Sequence, residues 1–327
     1  MAGLFCGSTY NSHHGSKALV KNRLDLTTIW VNYSAETSFT ATTMKTKLHR
    51  TGMIIALAIV VLVPGVFAQE IGLQMGSMRE LFRKDVRTAF ARIRELGVTE
   101  LEGGGTRGMS REEYKKLLKE YGLKIVATGA SFERLEQKDS LQKIINNAKD
   151  LGAKFVVCYW IPHDGDNFTF GDMKKAVEVF NAAGKTLKEN GLTFAYHPHG
   201  YEFREYEEGN GTLFEYMMDN TNPEDVSFQM DVFWIRNPGQ DPVALLKKYP
   251  TRWKMLHLKD RRIGTPNNPN GRQDVESNVV LGTGDVGIAE IMKTAQELGI
   301  KHYFIEDESS RALEQVPKSL AYLRSLK

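Results

Sequence analysis

Cysteine is almost absent from this 327-residue chain, which contains only Cys6 and Cys158. Two cysteines do not build a disulfide framework, and we expect Cys158, inside the apolar run 155–160, to be a buried core residue. The chain also lacks an apolar run of the ~20 residues needed to span a bilayer. The run from Met53 to Val63 is about half that length, so we expect no stable membrane anchor.

The short apolar run instead has the surroundings of a secretory signal peptide. The positive segment 44–50 precedes it, and the segment 64–68 places small residues at the −3 and −1 positions of a cut after Ala68. We therefore expect residues 44–68 to be a cleaved signal peptide and residues 1–43 to be an over-extended N-terminus. The mature protein would be exported, periplasmic or secreted.

Residues 69–327, which follow the expected signal peptide, also lack an excess of positive charge. The formal net charge is +3, but the first 68 residues hold six of the 43 Lys and Arg residues and only two of the 40 Asp and Glu residues. Residues 69–327 are consequently close to neutral. A nucleic-acid partner, including the substrate of a phosphodiester-cleaving endonuclease, would need a basic groove, and we expect no such partner.

Residues 69–327 alternate strand-like runs with helix-like periodicity, and Ser110 and Asp139 are expected helix caps. Eight such units in one domain of about 259 residues predict a parallel, closed (β/α)8 TIM barrel. A doubly wound open sheet is the competing architecture. It would require a GxGxxG turn after the first strand, and the segment 74–79 lacks that pattern, which favours the barrel. The first four predicted strands are 71–75, 98–101, 124–128 and 154–160. The fifth carries the histidines at positions 197 and 199. The last three are 226–231, 253–258 and 302–306.

Four consecutive predicted strands end on residues that bind metals. The fifth ends on His197 and His199, which share a face because residues two apart in a strand point the same way. The following three strands end on Asp231, His257 and Glu306. Each residue alone could cap a strand or satisfy a loop. Four at matching places predict a mixed nitrogen and oxygen site for one divalent ion.

Five segments give the chain a resemblance to the sugar phosphate isomerase/epimerase family of xylose isomerase-like TIM barrels. They are 72–79, 196–203, 229–234, 257–260 and 282–287. The resemblance implies one manganese, magnesium, cobalt or zinc ion, with Asp231, His257 and Glu306 as three of its ligands. Many relatives have a fifth-strand Glu as the fourth ligand, and here one of His197 and His199 takes that place.

The missing fifth-strand Glu also affects the expected acid and base groups. In the epimerases of this family, the fifth-strand and eighth-strand glutamates form the acid/base pair. The resemblance therefore leaves Glu306 as the obvious catalytic base of this chain. Glu202 is the nominated second base, with His199 or Lys259 as further candidates, although Lys259 could instead be a solvated surface residue.

Four further residues are candidates for binding substrate. Glu102 could accept a bond from a sugar hydroxyl or from the backbone of its own glycine turn. Trp160 and Trp234 could form a wall for a sugar ring, although core packing is the alternative. Arg262 is a candidate substrate contact from the long loop 259–284. For Arg262, as for Arg261 and Arg272 in the same loop, the alternative is a side chain exposed to solvent.

These residues together predict a divalent-metal-dependent isomerase or epimerase that acts on a free sugar or sugar derivative through an enediolate. A keto-glycoside lyase or hydrolase would use the same chemistry and is the first alternative. A non-catalytic carbohydrate-binding barrel is the second. The expected partner is a small carbohydrate, and a homo-oligomer is compatible with this interpretation.

Overall fold

Eight parallel strands close into a barrel in the computed structural model, which describes residues 71–206 and 211–326. The expected signal peptide and the residues before it lie outside these ranges. The ten strands of the described residues, of which β8 and β9 lie outside the barrel, are β1 Ile71–Gln74, β2 Glu100–Glu102, β3 Lys124–Gly129, β4 Phe155–Cys158, β5 Thr193–Tyr196, β6 Val226–Asp231, β7 Trp253–Leu258, β8 Asp260–Arg261, β9 Asn278–Val279 and β10 His302–Ile305.

The first strand pairs with the last, which decides between the two architectures expected from the sequence. Gly72 of β1 lies opposite Phe304 of β10, and Leu73 lies opposite Ile305, in a parallel ladder. This pairing closes the sheet, so the barrel prediction is confirmed and the open sheet is excluded. Strands β8 and β9 form a separate antiparallel pair.

Helices surround the barrel between successive strands. They are α1 Arg79–Lys84, α2 Val86–Glu95, α3 Arg111–Glu120, α4 Phe132–Glu136, α5 Lys138–Leu151, α6 Phe170–Glu189, α7 Leu213–Asn220, α8 Val232–Arg236, α9 Pro242–Lys248, α10 Ile288–Glu297 and α11 Ala312–Ser325. Ser110 caps α3 as expected, because its side chain accepts the backbone N–H of Glu113. Asp139 is not a cap: α5 begins at Lys138, so Asp139 lies in its first turn. None of the described helices is long and apolar enough to cross a membrane.

The barrel interior is filled by side chains that lie two residues before the expected metal ligands. Ala195, Met255 and Phe304 belong to one buried cluster, together with Val126 and Val157. The pleat places His257 on the same face of β7 as Met255, and His197 and Glu306 directly follow the ends of β5 and β10. Cys158 is fully buried in the surrounding core, as expected.

The long loop after β7 is anchored to the barrel. The Asp260 carboxylate accepts backbone N–H groups of Gly282 at 2.8 Å, Gly284 at 3.0 Å and Val286 at 3.2 Å. Arg261 is only 2% exposed and forms a two-point ion pair with Asp285, with distances of 3.0 and 2.8 Å. The expectation of a solvated Arg261 is therefore wrong, because this pairing holds its side chain inside the loop.

Candidate metal centre

His197, Asp231 and His257 converge at the C-terminal ends of β5, β6 and β7. One ligand atom from each lies within 4.8 Å of the other two, and all three residues are buried. The Asp231 Oδ2 atom is 3.8 Å from His197 Nε2 and 3.9 Å from His257 Nδ1. These distances are too long for hydrogen bonds and leave space for an ion between the three atoms.

The Asp231 carboxylate shows why the group fits a cation. Its Oδ1 atom accepts the backbone N–H groups of Phe233 at 2.8 Å and Trp234 at 3.1 Å, at the start of α8. Its Oδ2 atom is buried, faces the two histidines and has no hydrogen-bond partner within the described residues. Its nearest cation is Lys259 Nζ at 3.6 Å. A buried carboxylate oxygen without a hydrogen bond is costly, and a bound divalent ion would satisfy it.

Each histidine has an outer partner that fixes which ring nitrogen carries hydrogen. His197 Nδ1 is 3.0 Å from the amide oxygen of Gln229, which can only accept, so the Nε2 lone pair faces Asp231. His257 Nε2 is 2.6 Å from a Glu102 oxygen, which leaves Nδ1 on the Asp231 side. Such partners orient histidines for metal binding.

Glu102 links the outer partners into one network. It is fully buried, and it accepts hydrogen bonds from His257, from Tyr159 at 3.0 Å and from the Gln229 amide. The structure thus places Glu102 behind the cluster, where it orients His257, and not in a position to bind a sugar hydroxyl. The sequence interpretation missed Tyr159 and Gln229, although Gln229 lies two residues before Asp231 and so shares its face.

Glu306 lies beside the cluster and is held by Lys259. Its Oε2 atom is 3.2 Å from His257 Nδ1 and 2.8 Å from Lys259 Nζ. Lys259 is 1% exposed and is also 3.6 Å from Asp231 Oδ2 and 2.6 Å from Glu308. Lys259 therefore belongs to the site and not to the solvated surface. The Glu306 side chain remains 13% exposed, unlike the three buried ligands.

Burial and charge set the protonation of these groups. Burial acts to raise the pKa of Glu306, but the charges of Lys259 and His257 outweigh it and hold that pKa well below its usual range. Burial lowers the pKa of His197 well below its ordinary value, and the charge of His257 acts in the same direction. The structure therefore presents an ionised Glu306 and a neutral His197, which are the forms that bind metal ions. Burial acts to lower the pKa of His257, but the charges of Glu102 and Glu306 outweigh it and raise that pKa well above its usual range, so a metal ion at His257 Nδ1 would displace a proton.

His199 does not join the ligand cluster. Its ring stacks on Trp234 with centroids 4.0 Å apart, and its Nδ1 atom is 3.0 Å from the Gly271 carbonyl oxygen. Burial, together with the charge of Lys259, lowers the pKa of His199 to about 3. Trp160 meets His199 edge-on at 5.3 Å. The two tryptophans and His199 therefore form an aromatic wall next to the cluster.

Two other candidates have contacts away from the cluster. Glu202 is fully buried and accepts the backbone N–H groups of His199 at 2.9 Å and Gly200 at 2.8 Å, as well as the Tyr196 hydroxyl. These bonds hold the turn that carries the histidines, so the geometry gives Glu202 a positioning role. Arg262 is exposed, and its guanidinium donates to the Glu276 carbonyl oxygen.

The fold agrees with the chain's similarity to known proteins. Residues 90–326 match the family described as xylose isomerase-like TIM barrel. The chain belongs to that family. A solved structure of a sugar phosphate isomerase/epimerase from Parabacteroides distasonis ATCC 8503 superposes with a TM-score of 0.67 at 26% identity, and the match covers 80% of this chain and 96% of that one.

Two curated relatives carry a different name. The inosose dehydratase of Bacillus cereus strain AH820 is 32% identical over 158 residues, which are 45% of this chain and 50% of the relative. This chain thus spans about half the length of that relative. The inosose dehydratase of Mesomycoplasma hyopneumoniae strain J is 28% identical over 269 residues, which are 73% of this chain and 87% of the relative.

Proposed function

We propose that this protein is a metal-dependent lyase that eliminates water, or another oxygen leaving group, from the carbon β to the carbonyl of a keto-sugar or keto-cyclitol. The observation that carries the proposal is a single partly accessible carboxylate, Glu306, beside the His197, Asp231 and His257 cluster. The two dehydratase relatives support the reaction class.

His197 Nε2, Asp231 Oδ2 and His257 Nδ1 would hold the ion, with Glu306 as a fourth ligand. A divalent cation at this position supplies Lewis acidity, which polarises a carbonyl and makes the neighbouring C–H bond more acidic. The outer partners Gln229 and Glu102 keep the two histidines in the required orientation. Manganese, magnesium, cobalt and zinc all suit this mixed ligand set.

Glu306 would remove the proton from the carbon next to the carbonyl. Its Oε2 atom is held by Lys259 and His257, whereas its Oε1 atom has no hydrogen-bond partner in the described part of the chain. We assign the proton transfer to Oε1, because that oxygen can approach the substrate without breaking a protein contact. Lys259 keeps the carboxylate ionised and fixes its position.

The electron pair of the broken C–H bond would form the new C=C bond as the bond to the leaving oxygen breaks. Glu306 then carries the abstracted proton and returns it to the leaving oxygen, which departs as water or an alcohol. One carboxyl group is sufficient if both bonds lie on the same side of the sugar. Epimerisation needs a second base on the opposite face of the sugar, and the family resemblance implies a fifth-strand Glu for that role, where this chain has His197.

Isomerisation or epimerisation is the second candidate function. The name of the Parabacteroides relative favours it, since that protein matches this chain over most of its length. It would require Lys259 or His199 to act as the second proton-transfer group. Burial acts to lower the pKa of Lys259, but the nearby carboxylates outweigh it and raise that pKa well above its ordinary value. Lys259 therefore stays protonated and is a poor base.

The reaction can be identified by incubating the manganese-loaded protein with inosose and with 3-keto-glucosides in D2O and following the products by NMR. Elimination predicts an unsaturated ketone and release of the leaving group. Recovery of a deuterated epimer or isomer without any unsaturated product would instead establish the second candidate. No change in any substrate, despite bound metal, would contradict both.

The Glu306→Gln variant gives the matched test of the base. Glutamine keeps an oxygen ligand but removes the basic carboxylate, so kcat should fall by about 10²–10⁴-fold while most of the metal stays bound. Glu308→Gln is the control, because Glu308 also pairs with Lys259 but its side chain is 43% exposed. Equal losses of kcat in the two variants would mean that activity depends on the negative charge around Lys259 and that Glu306 is not the base.

A further inference from the structure

A cavity opens at the C-terminal ends of the first four strands. Its volume is about 540 Å³. The metal ligands come from β5, β6, β7 and the end of β10, so this cavity occupies the other half of the barrel mouth. It contains the glycine turn after β2, the last residue of β3 and the ring of Tyr159 after β4.

Three cations line this cavity, and no carboxylate does. They are Arg111, Arg134 and Lys143. The Arg111 guanidinium is fixed in place, because its Nη1 donates to Asn147 at 2.7 Å and its Nε is 3.2 Å from Asp150. The charged ends of Arg134 and Lys143 have no ion pair or hydrogen bond with the described residues.

Four glycines line the cavity, so its backbone is not covered by side chains at these positions: Gly103, Gly104, Gly105 and Gly129. A side chain at Gly105 would meet nothing within 4 Å, whereas a Cβ at Gly129 would lie 2.8 Å from the Tyr159 ring. Close to this turn, the Thr128 hydroxyl is buried without a hydrogen-bond partner in the described residues, and the Thr128 Cβ lies 3.2 Å from where a Cβ of Gly104 would be. The cavity therefore offers the positive charge of two exposed cations that are unpaired within the described residues, Arg134 and Lys143, beside the paired Arg111.

Tyr159 connects this cavity to the candidate metal centre. Its ring lines the cavity, and the same ring lies 5.4 Å from the His197 ring and 6.5 Å from the His257 ring. Its hydroxyl donates to Glu102, which orients His257. The Tyr159 side chain therefore borders both the cavity and the candidate metal centre.

We propose that the cavity formed by Arg111, Arg134, Lys143 and the glycine turn is a subsite for an anionic group, a carboxylate or a phosphate, carried by the substrate. This rests on the proposed function, because it makes the substrate of the metal centre an acidic sugar derivative. A guanidinium held by Asn147 and Asp150 is pre-oriented for such an oxygen-rich group.

Solvated side chains are the competing explanation for these cations. Other cations near this face have acidic partners: Lys115 pairs with Asp150 at 2.9 Å, and Lys175 pairs with Glu136 at 2.9 Å. Arg134 and Lys143 lack such partners and both border one concave space with Arg111. Anion binding explains this convergence, whereas solvation alone does not require it.

The test compares the Arg134→Gln/Lys143→Gln double variant with a double variant that removes the same charge elsewhere. Lys116→Gln/Lys138→Gln is that control, because both lysines are exposed on α3 and α5 and neither lines the cavity. The probes are inorganic phosphate, D-glucuronate and neutral D-glucose, titrated calorimetrically into each folded protein at constant ionic strength. Circular dichroism confirms that each variant is folded.

We expect the wild-type protein and the control to bind phosphate or glucuronate equally well, and the cavity variant to bind about tenfold more weakly. The stronger probe identifies phosphate or carboxylate as the natural group. Glucose should not distinguish the three proteins. Equal binding by the cavity variant and the control, or no binding of either anion to the wild type, would overturn the subsite.

The same titration on Asp231→Ala separates this proposal from the proposed function. Removing a metal ligand should abolish metal binding and turnover but leave anion binding within about twofold of wild type, since Asp231 does not line the cavity. An intact anion site with no metal-dependent reaction in the wild type would support the subsite and reject the lyase. Metal-dependent elimination without anion binding would do the reverse.

Discussion

Replacing Glu102 by Gln should weaken metal binding without unfolding the barrel. Three donors converge on the Glu102 carboxylate: the His257 ring, the Tyr159 hydroxyl and the Gln229 amide. Glutamine substitutes an NH2 donor for one of the two acceptor oxygens, so at least one of the three contacts becomes a donor facing a donor. His257 and Tyr159 share the Glu102 Oε1 atom, so in either orientation of the glutamine amide His257 loses its charged outer partner.

The expected loss follows from the position of Glu102 behind a ligand. Outer partners of metal-binding histidines contribute about 10–100-fold to metal affinity. That range corresponds to about 1.4–2.7 kcal/mol in binding free energy. We expect the loss of manganese affinity, measured by calorimetry against a competing chelator, to lie within this range. The variant should still bind one ion per chain.

The matched control lies on the same strand. Glu100 is two residues before Glu102 and accepts a bond from His302 Nδ1 at 2.8 Å, which makes a second, less deeply buried His–Glu pair below the barrel floor. Glu100→Gln should cost stability and leave manganese affinity unchanged. Wild-type affinity in Glu102→Gln, or an equal loss in both variants, would refute the supporting role of Glu102.

Three further predictions concern other parts of the chain. Burial raises the pKa of Cys158 to about 12, so only about one thiol in 10⁴ is ionised at pH 8. The native protein should therefore resist iodoacetamide until it unfolds, and rapid modification of the folded protein would contradict this. Thr169 forms a capping box with Asp172 at the start of α6, so Thr169→Ala should lower the free energy of unfolding by about 1 kcal/mol in urea titrations, against no change for the exposed Lys185→Ala. We also propose that the protein is exported, in which case N-terminal sequencing of secreted material should begin at Gln69, and a mature form that starts upstream of residue 60 would reject the signal peptide.

The barrel could be predicted from the sequence because strand and helix periodicities are local. The convergence of Asp231 and His257 followed from the same argument, since parallel strands bring their C-terminal ends to one edge. Asp139 shows the limit of this approach. Its position suggested a helix start, but α4 ends at Glu136 and α5 begins at Lys138, so the chain turns before the expected cap.

The choice between His197 and His199 could not be made from spacing alone. Strand β5 ends at Tyr196, so the rule that residues two apart share a face no longer applies to the histidines. The turn held by Glu202 directs His199 onto Trp234, while His197 remains over the barrel. The role of Glu202 thus depends on backbone contacts that no residue pattern displays.

Long-range contacts account for the rest of what the sequence interpretation missed. Glu102 reaches His257 across 155 residues of chain, and Gln229 reaches Glu102 across 127. Strand order in the closed barrel places β2 opposite these partners, and only the barrel geometry brings their side chains together. Arg261 was misread for the same reason, because its partner Asp285 lies beyond the loop that contains it.

The most direct test of the metal centre is a crystal of the protein grown with manganese and measured on both sides of the manganese absorption edge. The structure predicts one strong anomalous peak per chain, enclosed by His197 Nε2, Asp231 Oδ2 and His257 Nδ1, with Glu306 alongside. A peak bound through His199, a peak elsewhere in the barrel mouth, or no peak in crystals that contain manganese would contradict the account.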